Sequence, residues 1–183
     1  MRFTDVRKKD WFYEDVAYVV ENGLFHGTSK TTFSPNAPMT RGMLVTVLYR
    51  LAGSPKSAAD GGFADVAADK YYADAVSWAA ESGIVSGVSD GRFAPDSQVT
   101  REQLAAILYR YARDKRYDTG RTADLMSFAD YEQISGYAAE ALGWTNAEGL
   151  VSGRSKTALS PQGSATRAEV AAILHRFAEN VAK

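Results

Sequence analysis

The sequence predicts a mainly α protein, three tandem helix-loop-helix repeats packed into one compact pseudo-threefold body. Three observations predict it. The chain returns on itself: Phe3-Thr4-Asp5-Val6 recurs as Phe63-Ala64-Asp65-Val66 and as Phe128-Ala129-Asp130-Tyr131, and Thr40-Arg41 recurs as Thr100-Arg101 and Thr166-Arg167. Each copy carries apolar side chains at the i, i+3, i+4 spacing of one helix face. A copy of about 50 residues buries too little apolar surface to stand alone, so the copies must share a core.

From Arg41 to Arg101 is 60 positions and from Arg101 to Arg167 is 66, which sets three units at 1–52, 63–112 and 128–179. Their connectors are 53–62, rich in Gly, Ala, Ser and Pro, and 113–127, polar and charged. In each unit a first helix carries an apolar face, Val16, Val19 and Val20 in the first copy and Val76, Ala79 and Ala80 in the second. It stops at Gly23, Gly83 or Gly149, each followed by Leu or Ile, the pattern of a left-handed glycine with an apolar residue behind it. A turn-rich loop follows, marked by Gly27, Gly87 and Gly153 and by Pro35, Pro95 and Pro161. The second helix has the strongest pattern: Leu44, Val47, Leu48, Leu51, then Leu104, Ile107, Leu108, Tyr111, then Val170, Ile173, Leu174, Phe177.

Composition narrows function. With no Cys and only His26 and His175, a disulfide framework, a thiolate nucleophile and a His-rich metal centre are all excluded. Lys plus Arg is 21 against Asp plus Glu 22, a formal net charge of −1, which provides no global field for a nucleic acid. No apolar run approaches the ~18 residues of a membrane span and no leader pattern opens the chain, so an export signal would lie outside it.

Thr40, Thr100 and Thr166 stand where an N-cap belongs, with Gln103 and Glu169 placed to complete capping boxes and Met43 breaking the first. Directly after each cap comes Arg41, Arg101 or Arg167, at the end of the helix where a cation costs a few tenths of a kcal/mol. Arg50, Arg110 and Arg176, in the last turn, need no such explanation, because there the dipole favours a cation. Two readings of the first set stay open. Each could pair with the repeated Asp5, Asp65 and Asp130, or each could combine with the capping Thr and free helix amides into an anion seat. The second reading predicts that Arg101→Ala and Arg167→Ala weaken binding with little change in melting temperature.

The Thr-Arg-Ala-Glu at 166–169, its variants at 100–103 and 40–43, the Phe-x-Asp-Val openings, the aromatic helix starts Trp11-Phe12-Tyr13 and Tyr71-Tyr72, and the Gly-x-x-x-Gly loops resemble three consecutive S-layer homology domains. The resemblance implies a three-pronged pseudo-trimer around a central helix bundle, located outside the cell in a bacterial wall or S-layer. It implies attachment to a longer surface protein, with grooves between repeats that bind secondary cell-wall polysaccharide, terminal pyruvylated N-acetylmannosamine above all. It also implies that Arg41, Arg101 and Arg167 touch the ligand. No catalysis, metal, cofactor, nucleic acid or membrane insertion is implied. The third copy keeps only Tyr137 near its helix start.

Further candidates have two readings each. Trp78 and Trp144 align with Tyr18, and Trp11 with Tyr71; such rings either pack in the core or stack on sugar C–H groups. Gly27, Gly87 and Gly153 serve either a positive φ or close backbone approach to a ligand. Gly87-Val88-Ser89-Asp90-Gly91 spells a nucleophile elbow, but it follows a helix-ending glycine rather than a strand. Arg113, Lys115, Arg116 and Arg121 read as a solvated connector. The competing functional class is a helical-repeat protein-interaction scaffold with no glycan ligand.

Overall fold

The computed structural model describes residues 1–57 and 62–182; part of the first connector, 58–61, lies outside the described residues. Among the described residues six α-helices follow in order: α1 (Tyr13–Glu21), α2 (Arg41–Leu51), α3 (Ala73–Glu81), α4 (Arg101–Asp114), α5 (Ala139–Ala147) and α6 (Arg167–Asn180). Two single 3-10 turns, Tyr131–Gln133 and Gly136–Ala138, precede α5. The mainly α expectation holds.

Local signals act as their chemistry requires. The Thr40, Thr100 and Thr166 hydroxyls accept from the amide three residues on, and complete capping boxes form with Gln103 and Glu169 but not at Met43. Gly23, Gly83 and Gly149 adopt φ of 70°, 68° and 68°, and the amides of Leu24, Ile84 and Leu150 fold back onto Val19, Ala79 and Thr145 carbonyls.

The helices of one repeat do not pair with each other. Instead α3 packs on α2, α5 on α4 and α1 on α6, so each first helix lies on the second helix of the preceding repeat and the last pairing closes the ring. Tyr49 with Trp78, Tyr109 with Trp144 and His175 with Tyr18 mark the same position in the three seams.

The loops close the same ring with backbone bonds. Around the pseudo-threefold axis the Met39 amide donates to Ala165, Ala165 to Val99 and Val99 to Met39, at 2.8–3.0 Å, and all three side chains are fully buried. The first two amides of each second helix also cross between repeats. Those of Arg41 and Gly42 donate to Ser97 and Pro95, those of Arg101 and Glu102 to Gly163 and Pro161, and those of Arg167 and Ala168 to Ala37 and Pro35. The anion seat read from the sequence assumed free helix amides; these are all satisfied by a neighbouring loop, since a buried helix end must find partners.

A second departure is the left-handed backbone at Ser34, Ala94 and Ser160, with φ of 58°, 55° and 59°, although none is glycine. The repeated aspartates hold it. Asp5 accepts the amides of Phe33 and Ser34, Asp65 those of Phe93 and Ala94, and Asp130 those of Leu159 and Ser160, at 2.7–2.9 Å. In the second connector Arg113, Arg116 and Arg121 are exposed and Lys115 half-buried, close to the solvated reading, but the backbone beside them docks on the fold. Trp144 donates to the Asp118 carbonyl, Ala123 to Gly143, Arg121 pairs with Glu148 at 3.3 Å, and Leu125 is buried, so the segment lies along α5.

Candidate functional site

Each motif arginine leaves its own repeat and enters the loop of the next. Arg41 donates from Nε to the Phe93 carbonyl at 2.9 Å and from Nη2 to Ser86 at 3.0 Å. Arg101 does the same to Leu159 at 3.0 Å and to Ser152. Arg167 closes the ring onto Phe33 and His26, both at 2.8 Å. The peptide gripped in each case is the one whose amide the local aspartate holds, so aspartate and arginine clamp one residue from opposite sides. Arg41 and Arg167 lie 4.6 Å from the Phe93 and Phe33 ring centroids.

The three guanidinium side chains are 4–8% exposed. Burial is the largest influence on each and lowers its pKa from the ordinary arginine value. None is paired with Asp5, Asp65 or Asp130, whose oxygens serve the loop amides. For Asp65 and Asp130 the Phe93 and Leu159 amide bonds outweigh desolvation and, with a second amide, hold the carboxyl below the usual range. Both readings of the motif arginine are thereby revised: its main bonds are to loop backbone carbonyls of the adjacent repeat, which as polar groups inside the fold need a donor.

One nitrogen of each guanidinium still faces outward into a groove, and the three grooves follow a single plan. The α4 groove, ≈ 390 Å³, is lined by Arg41 from repeat one, the 85–88 loop and Gln103, Ala106, Ile107 and Arg110 from repeat two, and Tyr137 from repeat three. The α2 groove, ≈ 500 Å³, takes Arg167, the 25–28 loop, Met43, Thr46, Val47 and Arg50, and Tyr71. The α6 groove, ≈ 330 Å³, takes Arg101, the 150–154 loop, Glu169, Ala172, Ile173 and Arg176, and Trp11. Every groove therefore draws on all three repeats: a guanidinium from one, a loop and helix from the second, a ring from the third.

Of the residues singled out from sequence, Arg41, Arg101, Arg167, Gly27, Gly87, Gly153 and Trp11 line grooves. Thr40, Thr100 and Thr166 act as helix caps beneath them. Trp78 and Trp144 are corrected: they are 5% and 1% exposed in the seams between helices, their rings taken up by Tyr49 and Tyr109. The groove glycines are needed for a third reason, crowding. A Cβ on Gly87 would lie 3.1 Å from the Phe63 ring and 2.8 Å from the Arg92 carbonyl, with Phe3 and Phe128 in the same place for Gly27 and Gly153.

Sequence reasoning missed the last-turn arginines and two of the three rings. Residues 43, 46, 47, 50 and their counterparts form a second i, i+3, i+4, i+7 stripe, one step round from the core stripe, and Arg50, Arg110 and Arg176 end it. Tyr71 and Tyr137 occupy the position of Trp11, and all three are more than half exposed, so the third repeat's wall is complete. Tyr137 is set by Glu102, which is 3% exposed and accepts from its hydroxyl at 3.1 Å, from Ser135 and from Gln162. Burial, reinforced by Glu102, pushes the Tyr137 phenol up to about 12. No sequence signal marks Glu102, since an acid in the first helical turn is ordinary. The Gly87-to-Gly91 string lies in the loop after α3, without the strand and following helix of a nucleophile elbow.

A family model described as S-layer homology domain matches residues 2–42, 62–105 and 127–171. The chain is 32% identical over 171 residues to the surface-layer 125 kDa protein of Lysinibacillus sphaericus, covering 92% of this chain and 14% of that protein. It is 30% identical over 182 residues to an amylopullulanase of Thermoanaerobacterium thermosulfurigenes, covering 97% and 9%. A cellulosome-anchoring protein of Acetivibrio thermocellus is 26% identical over 152 residues, covering 80% and 33%. The chain thus spans a third or less of each of these relatives' length.

Proposed function

The chain belongs to the S-layer homology domain family, and from that premise we propose that it is a non-catalytic module anchoring a larger surface protein to bacterial secondary cell-wall polysaccharide. The relatives named for a surface layer and for cellulosome anchoring support the anchoring role. In the enzyme relative the matching region is 9% of the protein, leaving ample chain for catalysis elsewhere.

One observation carries the glycan reading: a guanidinium edge, a last-turn arginine and an exposed ring converge three times in a half-open groove. The ring suits a pyranose face and the guanidinium groups suit a carboxylate. A terminal pyruvylated N-acetylmannosamine offers both on one residue. Grooves on three sides of one body then raise avidity for a polymer through effective concentration.

Calorimetry with purified wall polysaccharide, before and after chemical removal of pyruvate, tests the proposal. The expected result is at least tenfold weaker binding after removal. Equal binding would reject the carboxylate mechanism, and binding by neither sample would favour a protein-interaction scaffold.

A further inference from the structure

Beyond Tyr137 the α4 groove runs into a second compartment of ≈ 160 Å³, which shares Ala106, Arg110 and Tyr137 with it and adds Tyr109, Arg113 and Glu140. Arg110 stands on the divide. It makes no hydrogen bond or ion pair among the described residues, whereas Arg50 donates to the Leu24 carbonyl at 3.0 Å and Arg176 to Gly149 at 3.5 Å. Arg113 extends over the Tyr109 ring at 5.8 Å, and Glu140 accepts from the Tyr109 hydroxyl at 2.8 Å. The positions matching Arg113 in the other repeats are Gly53 and Glu179. The guanidinium here belongs to this groove alone.

We propose that this compartment is a second sugar subsite, taking an uncharged N-acetylhexosamine linked to the anionic sugar in the α4 groove. The inference rests on the glycan reading above. Its chemistry differs from that of the first compartment. There, Arg41 and Arg110 face the ligand with no carboxylate among the lining residues, which suits an anion. Here Glu140 and Arg113 both line the compartment and both touch Tyr109, so together they present one acceptor and one planar donor fork, the complement of ring hydroxyls and an acetamido group. A carboxylate on the ligand would meet Glu140 at close range and be repelled. Tyr137 lines both compartments, and Arg110 reaches ligand atoms on either side of the glycosidic link.

The test titrates the ¹⁵N-labelled chain with pyruvylated N-acetylmannosamine methyl glycoside and with the wall-derived disaccharide carrying that sugar at its end. The monosaccharide should shift the Gly87 amide but not Ala141. The disaccharide should shift both and bind the α4 groove at least fivefold tighter. Arg113→Ala and Glu140→Gln should each bring the disaccharide down to the monosaccharide's affinity while leaving the latter unchanged. Equal affinities, or a disaccharide that leaves Ala141 unmoved, would overturn the second subsite and leave the anion site standing. A Gly87 amide unmoved by either sugar would overturn this inference, and Gly27, Gly87 and Gly153 amides all unmoved would overturn the glycan reading itself.

Discussion

In the α4 groove the outward nitrogen of Arg41 makes no hydrogen bond or ion pair among the described residues, and the capping position beside it is Gln103. In the α6 groove the same nitrogen of Arg101 lies 3.7 Å from Glu169, which also holds Arg154 at 3.1 Å. Burial pushes Glu169 up, but the Thr166 amide and the two arginines outweigh it, so its carboxyl is held below the usual range and is ionised at neutral pH. The α2 groove has Met43 at that position, with its sulfur 4.0 Å from Arg167. Three grooves of one design therefore offer three different faces to an anion. A preserved motif arginine guarantees the joint between repeats; the residue two positions after the next repeat's motif arginine decides whether its outer edge is available.

Three experiments bear on this contrast. The largest effect should come where the grooves are alike. Arg167→Ala leaves the Phe33 and His26 carbonyls without donors at the seam that closes the ring, and should cost about 3–5 kcal/mol of stability, with Arg41→Ala and Arg101→Ala comparable in urea unfolding. A melting temperature unchanged by Arg167→Ala, as the helix-dipole argument alone predicts, would show that the arginine is not part of the joint.

Arg110→Ala separates binding from folding. Because that side chain is exposed and unbonded, its loss should weaken glycan binding about tenfold, or ~1.4 kcal/mol, while the thermal transition stays within a degree or two. Equal weakening by Arg176→Ala would erase the distinction drawn between the α4 and α6 grooves.

The smallest effect, a few-fold, belongs to Glu169→Gln, which releases Arg101 and should raise anion affinity in the α6 groove, read from the Gly153 amide at pH 7. Wild type should approach this behaviour as pH falls through the lowered pKa of Glu169, because protonation discharges the same carboxylate. The stability contribution has the matching sign: present above the unfolded value of about 4.3, it disappears as pH falls through the folded value. An α6 groove whose affinity ignores both the substitution and the pH would mean Glu169 does not compete with the ligand.

Much of this was legible in the chain. The repeat, the helix stops at Gly23, Gly83 and Gly149, the complete and incomplete capping boxes and the core stripes all follow from spacing. The unusual position of the three arginines was visible too, but its reason was not. A guanidinium reaching 52 or 134 positions along the chain to a carbonyl has no local signature, and neither does an aspartate that pins a left-handed Ser or Ala. The groove stripe ending in Arg50, Arg110 and Arg176 was present in the sequence and hidden by an adequate simpler explanation, the helix dipole.

Local chemistry set what each repeat becomes, because caps, glycines and apolar periodicity act within one or two helical turns. Which repeat each helix packs against, and hence where the grooves open, was decided only when the ring closed, because every groove needs a side chain from a neighbour before and a neighbour after. The differences among the grooves come from single residues such as Glu169, Met43 and Arg113, whose meaning depends on which foreign arginine or ring they face.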